Sequence, residues 1–267
     1  PATTPAGRVV AKAMKKRIVL IRHGNDAPDD RAYVYALCSG FEPTVRKPFV
    51  GEVLGMVDET VAGTVIYGGP FEAYDHGRFP FLKEEARWIE ACMARGVPLL
   101  GICQGAQQIA DVLGASVGPV EGGHGEFGYY RIEPTEAGHE ILPGPIHVVQ
   151  AHFHTFGIPG GATHLASSAA FPNQAFSYGA KTYAFQFHPE VTIEGFRRAQ
   201  ASLGAFYDIP GAQTREEQDR LMYRHDAAQA TWFYGFLERL FGCEADASAG
   251  RGRFIRAGHF PPALPPA

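Results

Sequence analysis

Apolar residues along this chain fall into two rhythms, short unbroken runs and helical stripes, and the two alternate through its first half. The run at 17–21 is rich in β-branched residues and stops at Arg22-His23-Gly24-Asn25, which predicts a buried strand. A second run at 64–67 ends at Gly68-Gly69-Pro70, and a third spans 97–102. Between them Leu82, Ala86, Ile89 and Met93 recur at helical spacing, predicting a helix over 83–95 with Gly96 as its C-cap and Pro98 just beyond. Ala106, Ile109, Ala110 and Leu113 predict a helix over 105–113, closed by Gly114. Strand and helix in alternation imply an α/β fold, a mostly parallel central sheet flanked by helices. Further strands are predicted at 129–133, 146–151, 163–166 and 182–187.

Past Phe196 the pattern changes. Thr214 and Glu217 have the spacing of a capping box, and a long helix is predicted from there to about Phe241. Its stripe of Leu221, Ala228, Trp232, Phe236 and Leu240 must bury itself, either on the chain's own sheet or helices or on a second subunit. The expected organisation is an N-terminal tail at 1–15, one domain at 16–205, and a C-terminal helical extension with a Pro-rich tail at 206–267.

Composition narrows the class. The 267 residues are 45% hydrophobic, enough for one large globular domain and an appendage. Lys plus Arg number 24 against 28 Asp plus Glu, and a net charge of -4 argues against nucleic acid or an anionic membrane as partner. No apolar run approaches the ~18 residues of a membrane span, and residues 1–16 lack the apolar core of a secretory signal. Cys38, Cys92, Cys103 and Cys243 show no paired spacing, which fits a reducing compartment. The expectation is a cytoplasmic protein.

Three segments carry candidate chemistry, each at a predicted strand end. In Gly101-Ile102-Cys103-Gln104-Gly105-Ala106-Gln107 a buried strand turns tightly into a helix, with Cys103 at the turn. This is the device of a nucleophile elbow with sulfur in place of oxygen, and the helix N-terminus favours thiolate. The alternative is a buried structural thiol. In Gln186-Phe187-His188-Pro189-Glu190 the proline keeps the backbone extended, so His188 and Glu190, two residues apart, face one side. His188 can then act as base and Glu190 as the group that orients it. The Gly68-Gly69-Pro70 turn can aim a backbone N–H into the same cleft, where with the N–H of Gln104 it would form an oxyanion hole.

Together these three motifs, in this order and at these separations, resemble the class I glutamine amidotransferase family, over roughly residues 17–200. The stretches around Gly68 to Asp75, Glu126-Phe127-Gly128-Tyr129 and Gln174-Ala175-Phe176 look like its stand-alone, GMP-synthase-like branch. The resemblance implies a flavodoxin-like fold and a Cys-His-Glu triad of Cys103, His188 and Glu190, with oxyanion N–H groups from Gly69 and Gln104. It implies a substrate contact from Gln107 and closure of the backbone around Thr155 and Phe156 over the substrate. The family often has Gly or Asp in that last region, whereas this chain reads His152-Phe153-His154-Thr155-Phe156. The implied reaction is hydrolysis of the glutamine side-chain amide through a γ-glutamyl thioester, with no metal or organic cofactor. The substrate is then L-glutamine or another γ-glutamyl compound, and the partner an ammonia-accepting synthetase or a second copy of the chain. The alternatives are a γ-glutamyl hydrolase or peptidase with the same triad, or a catalytically silent binding module.

Two further features have blander readings. Arg22-His23-Gly24 after a first strand resembles the motif of histidine phosphatases, but the second His and the phosphate-binding arginines cannot be placed, so it reads as a strand-end loop. His147, His152, His154 and His164 are joined by no Cys, Asp or Glu at ligand spacing and read as loop and strand histidines.

Overall fold

The computed structural model describes residues 14–242. Most of the N-terminal tail, Cys243 and the Pro-rich end lie outside the described residues. The chain runs β1 (Arg17–Ile21), α1 (Arg31–Cys38), β2 (Glu42–Arg46), β3 (Val61–Ile66), α2 (Leu82–Ala94), β4 (Leu99–Ile102), α3 (Gln104–Val112) and β5 (Val117–Pro119). It continues through β6 (Glu126–Pro134), β7 (Ile146–His152), β8 (His154–Phe156), β9 (Thr163–Ser168), β10 (Ala175–Tyr178), β11 (Thr182–Phe185), α4 (Ile193–Ser202) and α5 (Arg215–Phe241).

Nine strands form one sheet in the order β2-β1-β3-β4-β11-β10-β9-β6-β7, and β5 pairs with β8 apart from it. The half from β2 to β11 is parallel, and the half from β11 to β7 is antiparallel. Helices cover both faces of the parallel half, which is why β1, β3 and β4 are buried along nearly their whole length, whereas the edge strand β2 is not. Along β1, Ile18 and Leu20 join the core beneath α1 and α5, while Val19 and Ile21 join the core beneath α2 and α3.

The structure shifts several expected faces. In α2, Leu82 and Ile89 are buried as expected, but the buried stripe continues through Glu85, Trp88 and Cys92, not Ala86 and Met93. In α5, Thr214 caps the helix by accepting from Glu217 N. The stripe of α5 closes on the chain's own sheet: Phe236 lies 4.9 Å from Phe185 and 5.1 Å from Tyr183, ring to ring. Ala228, expected in that stripe, is exposed. The helix changes partners along its length, packing Leu221 and Met222 against Phe127, Tyr129 and Phe196 and packing Phe233 to Phe241 against the parallel strands. A single straight stripe cannot serve both. Helices α1 and α4, unmarked by the apolar pattern, begin at side-chain caps: Asp30 accepts from Ala32 N and Tyr33 N, and Thr192 from Gly195 N. No helix among the described residues is long and apolar enough to cross a membrane.

Candidate active site

Strand register brings the three motifs together. Ile21 pairs with Ile66, Ile66 with Gly101, and Ile102 with Phe185. The segments that follow these four strands therefore emerge side by side at one carboxyl edge, where open parallel sheets bind their ligands. They line a cavity of about 670 Å3 that also takes in residues 24–27, 29, 30 and 151–154 and one face of α4 along its length.

Cys103 sits at the turn from β4 to α3 with φ 51 and ψ -109, the single non-glycine residue of positive φ among those described. Its N–H donates to Phe185 O at 2.7 Å, which pins the turn to β11. Close packing requires small neighbours here: a Cβ on Gly101 would fall 2.5 Å from the Gly105 carbonyl, and one on Gly105 would overlap Ile66 O. Cys103 is 8% exposed and lines the cavity wall. Its sulfur receives an N–H from the Gln186 side chain at 3.7 Å, and Gln186 in turn accepts from Gln107 Nε2 at 3.2 Å. The first N–H groups of α3 have no partner within the helix, and its dipole places partial positive charge beside the thiol.

His188 Nδ1 lies 2.9 Å from Glu190 Oε1. Burial opposes the imidazolium, but the charges of Glu190 and of the Cys103 sulfur outweigh it, so the His188 pKa stands well above its ordinary 6.5. The loop that carries both residues is held from below. His188 N–H donates to Val149 O at 2.8 Å and Arg31 N–H to Glu190 O at 2.9 Å. The Arg31 guanidinium donates to Pro189 O and Val191 O and pairs with Asp226 of α5 at 2.7 Å.

Gly68 lies between Cys103 and His188: a Cβ there would fall 2.8 Å from His188 Cε1 and 3.3 Å from Cys103 Cβ. Gly69, Gln104 and Gln107 also line the cavity. The Gln104 side chain is turned to its neighbour loop, accepting from Phe71 N at 2.9 Å. Thr155 and Phe156 do not line the cavity, and Phe156 is 1% exposed with its ring 5.2 Å from that of Phe176. The wall there is made by residues 151–154, because β8 has already turned Phe156 into the core.

Sequence reasoning missed several residues of this site. Arg22 and Asp30 form a buried pair, and Asp30 also accepts from Tyr67 OH at 2.7 Å. Burial raises the Asp30 pKa and that of Tyr67, with Arg22 opposing both. Arg31 and Glu85 gave no signal either, since isolated charges in helical segments read as solvated. His23 has both ring nitrogens engaged, Nδ1 by Tyr67 O and Nε2 by Glu85, so neither is free to take a phosphoryl group. The other histidines disperse: His147 stacks on His225 at 3.8 Å, His152 pairs with Glu126 at 3.0 Å, and His164 meets Ala166 O.

The fold is that of a known class. The sequence model of class I glutamine amidotransferases matches residues 39–201. The chain is 31% identical over 163 residues to the glutamine amidotransferase-like protein YfeJ of Salmonella typhimurium, covering 58% of this chain and 67% of that one. It is 34% identical over 159 residues to the glutamine-hydrolysing GMP synthase of Porphyromonas gingivalis, covering 57% of this chain and 29% of the synthase, so it spans less than a third of that relative. The crystal structure of a glutamine amidotransferase from Thermotoga maritima is similar with a TM-score of 0.74 and 28% identity, over 85% of this chain and 99% of that one. The chain belongs to the class I glutamine amidotransferase family, cysteine-dependent amidotransferase enzymes.

Proposed function

We propose that this chain hydrolyses the side-chain amide of L-glutamine through Cys103, His188 and Glu190. The observation that carries this reading is the strained Cys103 turn opening on the same cavity as a His188–Glu190 pair 2.9 Å apart. The Cys103 sulfur attacks the amide carbon, and the carbonyl oxygen takes the negative charge against the N–H groups of Gly69 and Gln104. As the C–N bond breaks, the proton on His188 Nε2 passes to the leaving nitrogen and ammonia departs. Water then attacks the γ-glutamyl thioester, His188 takes its proton, glutamate leaves, and that proton restores the starting state. Glu190 keeps the ring oriented by accepting from Nδ1–H and stabilises the imidazolium, which its effect on the His188 pKa supports. Gln107 and the backbone of residues 151–154 hold the glutamyl moiety, the latter in place of Thr155 and Phe156. The chemistry uses no metal or organic cofactor. The ammonia released at this site then serves an acceptor, for which an ammonia-accepting synthetase is the fitting class.

A second reading, hydrolysis of a γ-glutamyl amine or peptide by the same residues, is favoured by one observation. The cavity of about 670 Å3 falls in the ~300–1,000 Å3 range of sites that enclose drug-sized ligands, well beyond one amino acid. Glutamate release from L-glutamine and from a γ-glutamyl alkylamide, measured on the same preparation, separates the two. Turnover of glutamine that disappears in Cys103→Ala supports the first reading, and turnover of the alkylamide alone supports the second. Folded wild-type protein that releases glutamate from neither contradicts both and leaves a silent binding module.

A further inference from the structure

The Arg22-His23-Gly24 segment is no part of the triad, and it precedes residues 39–201, which the family's sequence model covers. Yet His23 lines the cavity together with Gly68, Gly69 and Cys103, and its side chain is fully buried. Its Nδ1 lies 3.1 Å from Tyr67 O. A carbonyl only accepts, so Nδ1 carries a proton and donates it. Its Nε2 lies 3.0 Å from Glu85 Oε2, which also accepts from Gln108 Nε2 at 2.7 Å. Both ring nitrogens thus lie against oxygen atoms, Tyr67 O on one side and the Glu85 carboxyl on the other. With both side chains at 0% exposure, no water competes for these bonds.

This chain of bonds joins four elements at the site: the end of β1, the end of β3, α2 through Glu85 and α3 through Gln108. The Tyr67 carbonyl and the Gly68 N–H belong to one planar peptide, so holding the carbonyl sets the direction of the N–H. One residue on, Gly69 packs on His23 so closely that a Cβ there would overlap the His23 Cβ and come 2.7 Å from Gln104 Oε1. Helix α3, at the other end of the chain, begins with the second oxyanion donor, the N–H of Gln104.

We propose that His23, backed by Glu85 and Gln108, is a positioning residue that sets the Gly68-Gly69 turn against the start of α3 and so fixes the spacing of the two oxyanion N–H donors. The proposal rests on the glutamine-hydrolysis reading above. Oxyanion donors act where charge develops in the transition state, so displacing them lowers kcat and leaves KM nearly unchanged. Removing a donor outright costs ~10²–10³ in kcat, and displacing one costs less, roughly 10–100-fold.

The test measures glutamine turnover and thermal melting of wild type, His23→Ala, His23→Asn and Glu85→Gln. An Asn side-chain amide reaches the place of Nδ1 and can still donate to Tyr67 O, so His23→Asn keeps the bond that matters and loses only its backing. The expected result is kcat falling in the order wild type, His23→Asn, His23→Ala, with KM within about twofold throughout, and Glu85→Gln between wild type and His23→Ala. A His23→Ala chain that does not fold leaves the comparison of His23→Asn and Glu85→Gln with wild type to decide. Folded variants with wild-type kcat, or with raised KM and unchanged kcat, overturn the proposal while the reading of the triad stands. A wild-type protein without turnover overturns the reading and the proposal with it.

Discussion

Replacing Arg31 by Met tests whether the loop of residues 188–191 is anchored to the C-terminal helix. The Arg31 side chain is 4% exposed and that of Asp226, its partner on α5, 13%. Its guanidinium also donates to the carbonyls of Pro189, at 3.0 Å, and Val191, which flank Glu190. Methionine fills much of the same volume and supplies no donor. Asp226 would then be left, among the described residues, with Tyr129 OH at 3.3 Å as its side-chain donor. Removing one partner of a buried pair costs ~3–5 kcal/mol, chiefly because the remaining charge is stranded. For a chain of this size each kcal/mol shifts Tm by ~2–4 °C, so the melt should fall by roughly 6–20 °C. The double variant Arg31→Met with Asp226→Leu strands no charge and should recover a good part of that loss. Urea unfolding of wild type, both single variants and the double gives the coupling energy directly. Glutamine turnover, measured below the melt, should fall in Arg31→Met because the 188–191 segment loses its tether. A single variant within ~1 kcal/mol of wild type, or a double variant whose loss equals the sum of the singles, refutes the anchoring argument.

Two other outcomes follow from the same structure. Glu190→Gln removes the charge that raises the His188 pKa, so that pKa should fall toward 6.5, as read by NMR of the imidazole. A raised histidine pKa stabilises the fold fully below the unfolded value of ~6.5 and loses that contribution as pH rises through the folded value. The Tm gap between wild type and Glu190→Gln should therefore be widest near pH 6 and narrow at higher pH, and a gap that widens with pH contradicts the assignment. A chain ending at residue 212 exposes the sheet face that Phe233, Phe236 and Leu240 cover, so it should be insoluble or melt far below wild type, and a soluble truncated chain with unchanged Tm contradicts self-packing of α5.

What the sequence made legible was local along the chain. The run of β4 into Gly101, Cys103 and Gly105 is one continuous segment, and so is His188-Pro189-Glu190, so residue types and short spacings sufficed to find them. The supporting residues were hidden because their partners come from far away in sequence. Glu85 stands in a helix where an acid reads as solvated, and only His23 and Gln108, brought by two other elements, account for its complete burial. Arg31 was equally silent, since its partners lie more than 150 positions on. The short helix α1 offers too few turns for periodicity to show, and its signal was the Asp30 cap. Thr155 and Phe156, where the resemblance puts the backbone that closes over the substrate, do not line the cavity: the strand breaks between β7 and β8, Phe156 is buried, and His152, Phe153 and His154 line the wall.

The central claim is that Cys103 is the nucleophile of a glutamine-cleaving site. A glutamine analogue bearing a diazoketone in place of the amide tests it most directly, because the reagent is inert until a positioned thiol attacks it. Peptide mass mapping should find one adduct per chain, on Cys103, blocked by excess L-glutamine. Cys92 is also buried and its thiol is pushed up to about 11 by burial, so it should stay unmodified. The His188→Ala variant should label far more slowly than wild type. Label distributed over Cys38 and Cys92, or a Cys103→Ala chain that labels and turns over as wild type does, would contradict the account.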